Sequence, residues 1–301
     1  MHYLTPRGKA EVMIDLTLGE GGHSLAFLSK NPDLSLICTD ADKDMLNVAK
    51  ERLAPYHSRV QFFNCWAQDF LASYPKDLPR PNTIFGDLGI SLYHYSKSGK
   101  GFSFSADETL DMRLDNSCGI TAAELLAQKT EKEIADILYR NGGERFAKRI
   151  SRAIVKERQH SGIKTSAALA DLVKRSVPAS YRYGHIHPAT RTFLALRIFI
   201  NGELTRLPQL LEGALKILKP GGRLGIISFH SLEDRIVKNF FKMKNKDCIC
   251  PAQAPSCTCE GRRTVNILTK KGITPNDEEI NRNPPSRSAR LRVVEKIKEA
   301  A

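Results

Sequence analysis

Three glycines in four positions, Gly19, Gly21 and Gly22, follow the apolar run Val12-Met13-Ile14 and precede the helix-compatible Leu25-Ala26-Phe27-Leu28. A strand that passes through a glycine turn straight into a helix is the first half of a βα unit. It commits the chain to an α/β sheet more firmly than any other stretch. Such a turn lets backbone approach a ligand, because no side chain intervenes. The dinucleotide fingerprint GxGxxG would require Gly or Ala where Ser24 stands, so a nicotinamide enzyme fits poorly. Asp15 lies four residues before the first glycine, and Asp40 ends the next apolar run about 21 residues on. That second acid is placed to accept hydrogen bonds from the ribose hydroxyls of NAD or of S-adenosylmethionine. A tight turn beside a solvated aspartate is the plainer alternative.

Three further apolar runs resemble buried strands: LSLICTD (34–40), TIFGDLG (83–89) and RLGIISF (223–229). Between the first two, ADKDMLNVAKERL carries Met45, Val48, Ala49 and Leu53 at helical spacing. Alternating strands and helices predict a parallel sheet. The middle of the chain breaks the alternation, because TAAELLAQKTEKEIADILYRNGGERFAKRISRAIVKER is helical in pattern for nearly its whole length. Phe146, Ile150 and Ile154 would form one face, with Arg145, Lys148, Arg149, Arg152 and Lys156 around the rest. A helical insertion is therefore expected over 105–199, with the sheet domain in two pieces, 1–104 and 200–301. The sheet resumes after ELTRLPQLLEGALKILKPGG, a helix closed by Pro220-Gly221-Gly222. INRNPPSRSAR then reads as a polar loop and ARLRVVEKI as the last strand.

The 301 residues suffice for one large domain or two of ordinary size. A formal net charge of +13 favours a polyanionic partner. The excess is concentrated: Leu138 to Arg197 holds thirteen Lys or Arg against three acids, which predicts a docking surface there. No run of eighteen apolar residues occurs, and MHYLTPRGKAEVMID lacks the apolar segment of a signal peptide. A soluble, non-exported protein is expected, cytoplasmic and without a membrane partner. Of seven cysteines, Cys38, Cys65 and Cys118 read as small buried thiols. The other four, Cys248, Cys250, Cys257 and Cys259 in CICPAQAPSCTC, could supply four thiolates to one tetrahedral structural Zn²⁺. Redox-sensitive free thiols are the alternative.

DLTLGEGGHS, DLGIS, GFSF followed by LDMRLD, GGERFAKRISRAIV, HPATRTFLALRIFIN, PGGRLGIISFHSLEDRIVK and the closing NPPSRSARLRV run in this order from about residue 14 to 294. Together they resemble the MraW/RsmH family, S-adenosylmethionine-dependent enzymes that methylate the exocyclic N4 of a cytosine in small-subunit ribosomal RNA. The resemblance implies a Rossmann-like class I methyltransferase sheet interrupted by a helical substrate-recognition domain. It carries the family's cofactor positions onto Gly21, Gly22 and His23, Asp40, Trp66 (usually Phe) and Asp87, and Gly19 joins them as the first glycine of the turn. The chain departs from the family's DLGVSSPQ at DLGISLYH, where Leu92 and Tyr93 replace Ser and Pro and His94 replaces a Gln associated with the cofactor. It also begins close to the first strand, without the family's usual His-x-Pro-Val-Leu segment, and has Pro285 where Arg is common.

Methyl transfer from a sulfonium needs an in-line approach to an already activated carbon, so much of the catalysis is positioning. The cytosine N4 lone pair is delocalised into the ring, and a hydrogen-bond acceptor on its N–H groups favours the pyramidal amine and removes the proton afterwards. Asp87, or a carbonyl in the turn after it, is the candidate catalytic acceptor; capping the next element or touching the cofactor is the plainer role. Methylation at carbon 5 would need a cysteine to add to the ring, and the Pro-Cys dipeptide of many such enzymes is absent.

The target base must leave its stack, which is easiest in irregular or single-stranded RNA. Arg149 and Arg152 would grip phosphates, while His187, Thr190, Arg191 and Arg197 would line the substrate site. Each is equally readable as part of a solvated basic face. Ser228, His230 and Ser231 follow a strand at its carboxyl end, where open α/β sheets place their sites. No GxSxG turn accompanies them, which disfavours a hydrolase. The competing readings are a methyltransferase of the same fold acting on another substrate and an RNA-binding ribosome assembly factor without catalysis. The oligomeric state is not fixed by the sequence, a homodimer included.

Overall fold

The apolar run ahead of the glycine turn becomes the middle of a seven-stranded sheet. In the computed structural model, which describes residues 2–184, 186–248, 250 and 263–297, β1 (Val12–Asp15) is buried at every position, as befits a strand covered on both faces. It pairs in parallel with β2 (Ser35–Asp40), which pairs in turn with β3 (Val60–Asn64). On its other side β1 pairs with β4 (Thr83–Asp87), and β4 with β5 (Arg223–Ser228), Thr83 lying opposite Arg223. β6 (Val265–Ile267) and β7 (Arg290–Lys296) complete the edge in antiparallel fashion, giving the order β3-β2-β1-β4-β5-β7-β6. Strand order reverses between β1 and β4. At such a switch point, open α/β sheets bind ligands beyond the carboxyl ends of their strands.

Alternation along β1 builds two apolar layers. Met13 packs with Phe27 of α1 (Gly22–Lys30) and Leu46 of α2 (Lys43–Arg52), whereas Ile14 packs with Phe70 of α3 (Ala67–Ala72) and with Leu211 and Leu215. β3 and β6 have no counterpart among the predicted strands. β3 is an edge strand that mixes one buried residue with half-buried and exposed ones, and β6 has three residues, too few for a period.

The chain divides into two compact units, Met1–Gly89 with Leu204–Ala301, and Ile90–Glu203. Residues 90–104, assigned above to the sheet domain, fold with the helices, as Ile90, Phe102 and Phe104 pack into the helical core. That unit comprises α4 (Leu92–Ser96), α5 (Ala122–Gln128), α6 (Glu131–Gly142), α7 (Ala147–Glu157), α8 (Ser166–Ser176), α9 (Ala179–Arg182) and α10 (Thr190–Ile200). The single long helical pattern of the sequence is thus three helices, α5, α6 and α7. Thr121 and Thr130 each head a capping box, with Glu124 and Glu133 reaching back to the cap backbone, and Gly143 ends α6 in the left-handed conformation at φ 60°. Gly142 lets α6 meet α10 backbone to backbone: a Cβ there would lie 2.3 Å from the Arg191 carbonyl oxygen.

The return to the sheet runs through α11 (Glu203–Ile217) into β5, and α12 (Ser231–Lys244) follows that strand. INRNPPSRSAR is not simply a loop. α13 (Asp277–Arg282) takes its first residues and a 3₁₀ turn (Pro284–Ser288) most of the rest. Asn276 accepts from the Glu279 N–H and three acids fill the first turn of α13, both favourable at a helix N-terminus. Of the three scattered cysteines only Cys38 is buried; Cys65 is half-buried and Cys118 exposed, lying on a turn beside Asp115. Among the described residues no helix is long and apolar enough to cross a membrane.

Candidate active site

The glycine turn is held by a lattice of short hydrogen bonds at the carboxyl edge of the sheet. Leu16 N–H donates to the Phe85 carbonyl at 2.8 Å and Leu18 N–H to that of Thr39 at 3.0 Å, so the turn is tied to β4 and to β2. Asp40, at the end of β2, accepts from Gly19 N–H at 2.7 Å and from Asp42 N–H at 2.8 Å. Gly21, at φ 77°, is the N-cap of α1, a conformation that side chains resist. A Cβ built on Gly19, φ 52°, meets nothing within 4 Å, so there is open space beside the turn.

Asp87 ends β4 at the switch point. Its N–H donates to Thr17 Oγ1 at 2.6 Å, and its Oδ2 lies 3.4 Å from His23 Nε2 in the first turn of α1. The Asp87 carboxylate holds the His23 imidazole above the ordinary histidine value, against the opposing effect of burial. Beneath them Asp15, 1 % exposed, accepts from Ser24 Oγ at 2.6 Å and Thr17 N–H at 3.3 Å. Burial pushes the Asp15 carboxyl up, the Ser24 hydroxyl only partly offsetting it. The sequence marked Asp15 but gave it no role. Ser24, which spoiled the dinucleotide fingerprint, is its hydrogen-bond donor. Burial, and then the Asp15 charge, also raise the Cys38 thiol well above its usual value, which leaves it an unreactive thiol.

Trp66 is the N-cap residue of α3. The Arg206 guanidinium from α11 lies 4.1 Å over its ring, with Asp69 Oδ2 3.8 Å from the same guanidinium. The indole Nε1 is buried and has no hydrogen-bond partner among the described residues, a donor that a ligand acceptor would satisfy. Open space at Gly19, a carboxylate at the end of β2 and the indole of Trp66 suit an adenosine group. Arg206 was not anticipated, being 140 positions from the tryptophan it covers.

His230 sits beyond β5 as the N-cap of α12, its Nδ1 accepting from Glu233 N–H at 3.4 Å and its Nε2 3.2 Å from Glu233 Oε1. Glu233 is 2 % exposed and also accepts from Phe229 N–H, so this histidine is built into a cap rather than projecting as an RNA contact. In the inserted unit Arg149 and Arg152 are exposed on α7, Arg152 3.5 Å from Glu131. His187 and Thr190 are exposed, and Arg191 donates to the Gly143 carbonyl at 3.1 Å. Arg197 differs from them. It is buried, with Nε and Nη2 on the two carboxylate oxygens of Glu203 at 2.8 and 2.9 Å, which is a structural ion pair and not a phosphate grip. His94 is 4 % exposed and meets Phe102 edge to face at 5.3 Å. Of the cysteine quartet, Cys248 and Cys250 are described, whereas Cys257 and Cys259 lie outside the described residues.

A family model described as the MraW methylase family matches residues 1–297. The ribosomal RNA small subunit methyltransferase H of Treponema denticola is 51 % identical over 297 residues, covering 99 % of this chain and 94 % of its own length. Its namesake in Syntrophobacter fumaroxidans is 45 % identical, covering 95 % and 90 %, and that of Clostridioides difficile 42 %, covering 95 % and 93 %.

Proposed function

The chain belongs to the MraW methylase family, and on that premise we propose that it transfers a methyl group from S-adenosylmethionine to the exocyclic N4 of a cytosine in small-subunit ribosomal RNA. The names of its relatives support the substrate class. The observation that carries the reading is the Asp87 carboxylate, set at the carboxyl end of β4 beside the glycine turn with His23 Nε2 at 3.4 Å. This reading puts the chain at work in the cytoplasm.

S-adenosylmethionine supplies a methyl carbon already activated by its sulfonium. The protein's own part is to hold and aim. Gly19, Gly21 and Gly22 admit the backbone to the cofactor, Asp40 accepts from ribose hydroxyls, and Trp66 offers an aromatic face to the adenine. His94 enters this reading from the family resemblance alone. Asp87 accepts a hydrogen bond from the N4 amine, favours its pyramidal form and takes a proton after transfer. His23, with Nε2 3.4 Å from Oδ2, orients that carboxylate. Arg149, Arg152 and Arg191, with Thr190, contact phosphates, and Arg197 and His230, each committed to a glutamate, anchor the backbone around them.

The cysteine quartet adds a separate proposal, a structural Zn²⁺ held by Cys248, Cys250, Cys257 and Cys259. About one zinc per chain in protein purified without chelator, reduced in Cys250→Ser and Cys259→Ser variants, is the expected result; metal analysis finding none removes it.

The function itself is tested by incubating small ribosomal subunits that lack the modification with methyl-labelled S-adenosylmethionine, followed by nucleoside analysis. Label in N4-methylcytidine is expected. Label in another nucleoside would move the substrate atom. No label despite cofactor binding would favour an assembly factor.

A further inference from the structure

Phe104 and His187 stack in the inserted unit with ring centroids 4.3 Å apart and planes inclined by 23°. Phe193 meets Phe104 edge to face at 5.2 Å and is itself buried in the helical core, so the phenyl ring rests on rigid structure. The imidazole is fixed as well. Ala189 N–H donates to its Nδ1 at 3.3 Å, which leaves the ring hydrogen on Nε2 in the neutral form. Burial first, and the Lys174 charge second, hold His187 below the ordinary histidine value. Yet the residue as a whole is exposed. A histidine on a merely solvated basic face would be mobile; this one is a plate held by Phe104 and by the Ala189 N–H, in surroundings that disfavour its charged form.

Its surroundings are those of a polyanion site. Lys174 is exposed, Arg191 lies in the first turn of the helix that follows His187, and Tyr183, 84 % exposed, lies on the same connecting segment. Bases freed from a helix stack on aromatic side chains regardless of sequence, while nearby cations take the phosphates.

We propose that the His187–Phe104 stack is a platform for one unstacked base of single-stranded RNA, seated on the imidazole face away from Phe104, with Lys174 directed to the adjoining phosphate. The proposal rests on the RNA-methylating reading above and assigns His187 a stacking role in place of a general lining one. The test uses the full chain and a short fluorescein-labelled single-stranded oligoribonucleotide, with anisotropy read over a series of salt concentrations. His187→Ala is expected to lose about tenfold in affinity with the salt slope unchanged, and His187→Tyr to recover most of it. Lys174→Ala should instead shallow the slope by about one. A duplex of the same sequence, its bases already stacked, should bind wild type and His187→Ala alike. Wild-type affinity in His187→Ala, or no recovery in His187→Tyr, overturns the platform alone. Failure of the wild type to bind RNA even at low salt overturns the RNA reading and the platform together.

Discussion

The carboxyl edge of the sheet and the surface of the inserted helices both carry dense charge, and they hold it in opposite ways. At the sheet edge the three aspartates are fixed by backbone or by a partner within about 3.5 Å: Asp40 by Gly19 and Asp42, Asp15 by Ser24, Asp87 by Thr17 and His23. On α7 the cations stand in solvent, and the one ion pair of Arg152 is 3.5 Å long with the arginine 78 % exposed, a geometry that contributes little. Fixed dipoles suit bond-making, where a small displacement costs rate. Solvated charges suit capture of a polyanion, where many weak and salt-sensitive contacts add up.

If that division is right, substitutions on the two sides should damage different observables. Asp87→Ala should lower single-turnover methyl transfer by about 10²-fold or more and reduce RNA affinity far less, measured with labelled cofactor and by filter binding. Reversing charge in Arg149→Glu/Arg152→Glu should weaken RNA binding about tenfold at low salt, the deficit shrinking as salt rises; an equal loss of both properties in both variants would break the comparison. Arg206→Ala removes the cation over the chain's single tryptophan. Binding of S-adenosylhomocysteine, followed by the fluorescence of Trp66, should weaken about fivefold, with part of the loss restored in Arg206→Lys. Unchanged affinity would make that stacking merely structural.

The smallest expected effect concerns pH. His23 is raised in the folded protein by Asp87, so its contribution to stability is complete below the ordinary histidine value and is lost as pH rises through the higher folded value. Because the side chain is 49 % exposed, solvent screening keeps the change small. Thermal melts of the wild type should decline slightly across that window relative to His23→Gln, and parallel curves would show that the pair adds nothing.

Five strands were legible in the sequence because burial on both faces forces continuous apolar runs such as Val12–Ile14 and Leu36–Cys38. The edge strand β3 mixes buried and exposed residues and hides among loops. Helical periodicity revealed the insertion but ran through its breaks, since hydrophobic spacing takes no account of the Thr130–Glu133 capping box that restarts the chain. That box is itself readable, as Thr-x-x-Glu. The glycine turn and its acids stand out for similar reasons of local chemistry. The pairings that give them chemical character do not, because His23 and Asp87, or Trp66 and Arg206, meet only through the fold. Arg197 was indistinguishable from its exposed neighbours until burial set it against Glu203.

The register that places Thr83 opposite Arg223 also has a consequence in time. On the ribosome β4 emerges long before its neighbour, and at about 5–20 residues per second it waits roughly 7–30 s for β5. Through that interval one side of β4 is an open edge, a template for mistaken pairing. The residues made meanwhile, Ile90–Glu203, have their own core and helices whose backbone hydrogen bonds are all local. Closing β5 onto β4 across so long a connection costs little more than across a short one, since each doubling adds about 0.6 kcal/mol. Nascent chains should therefore acquire protease-resistant helices first and a finished sheet last, and anything that slows the helical unit will prolong the exposure of β4.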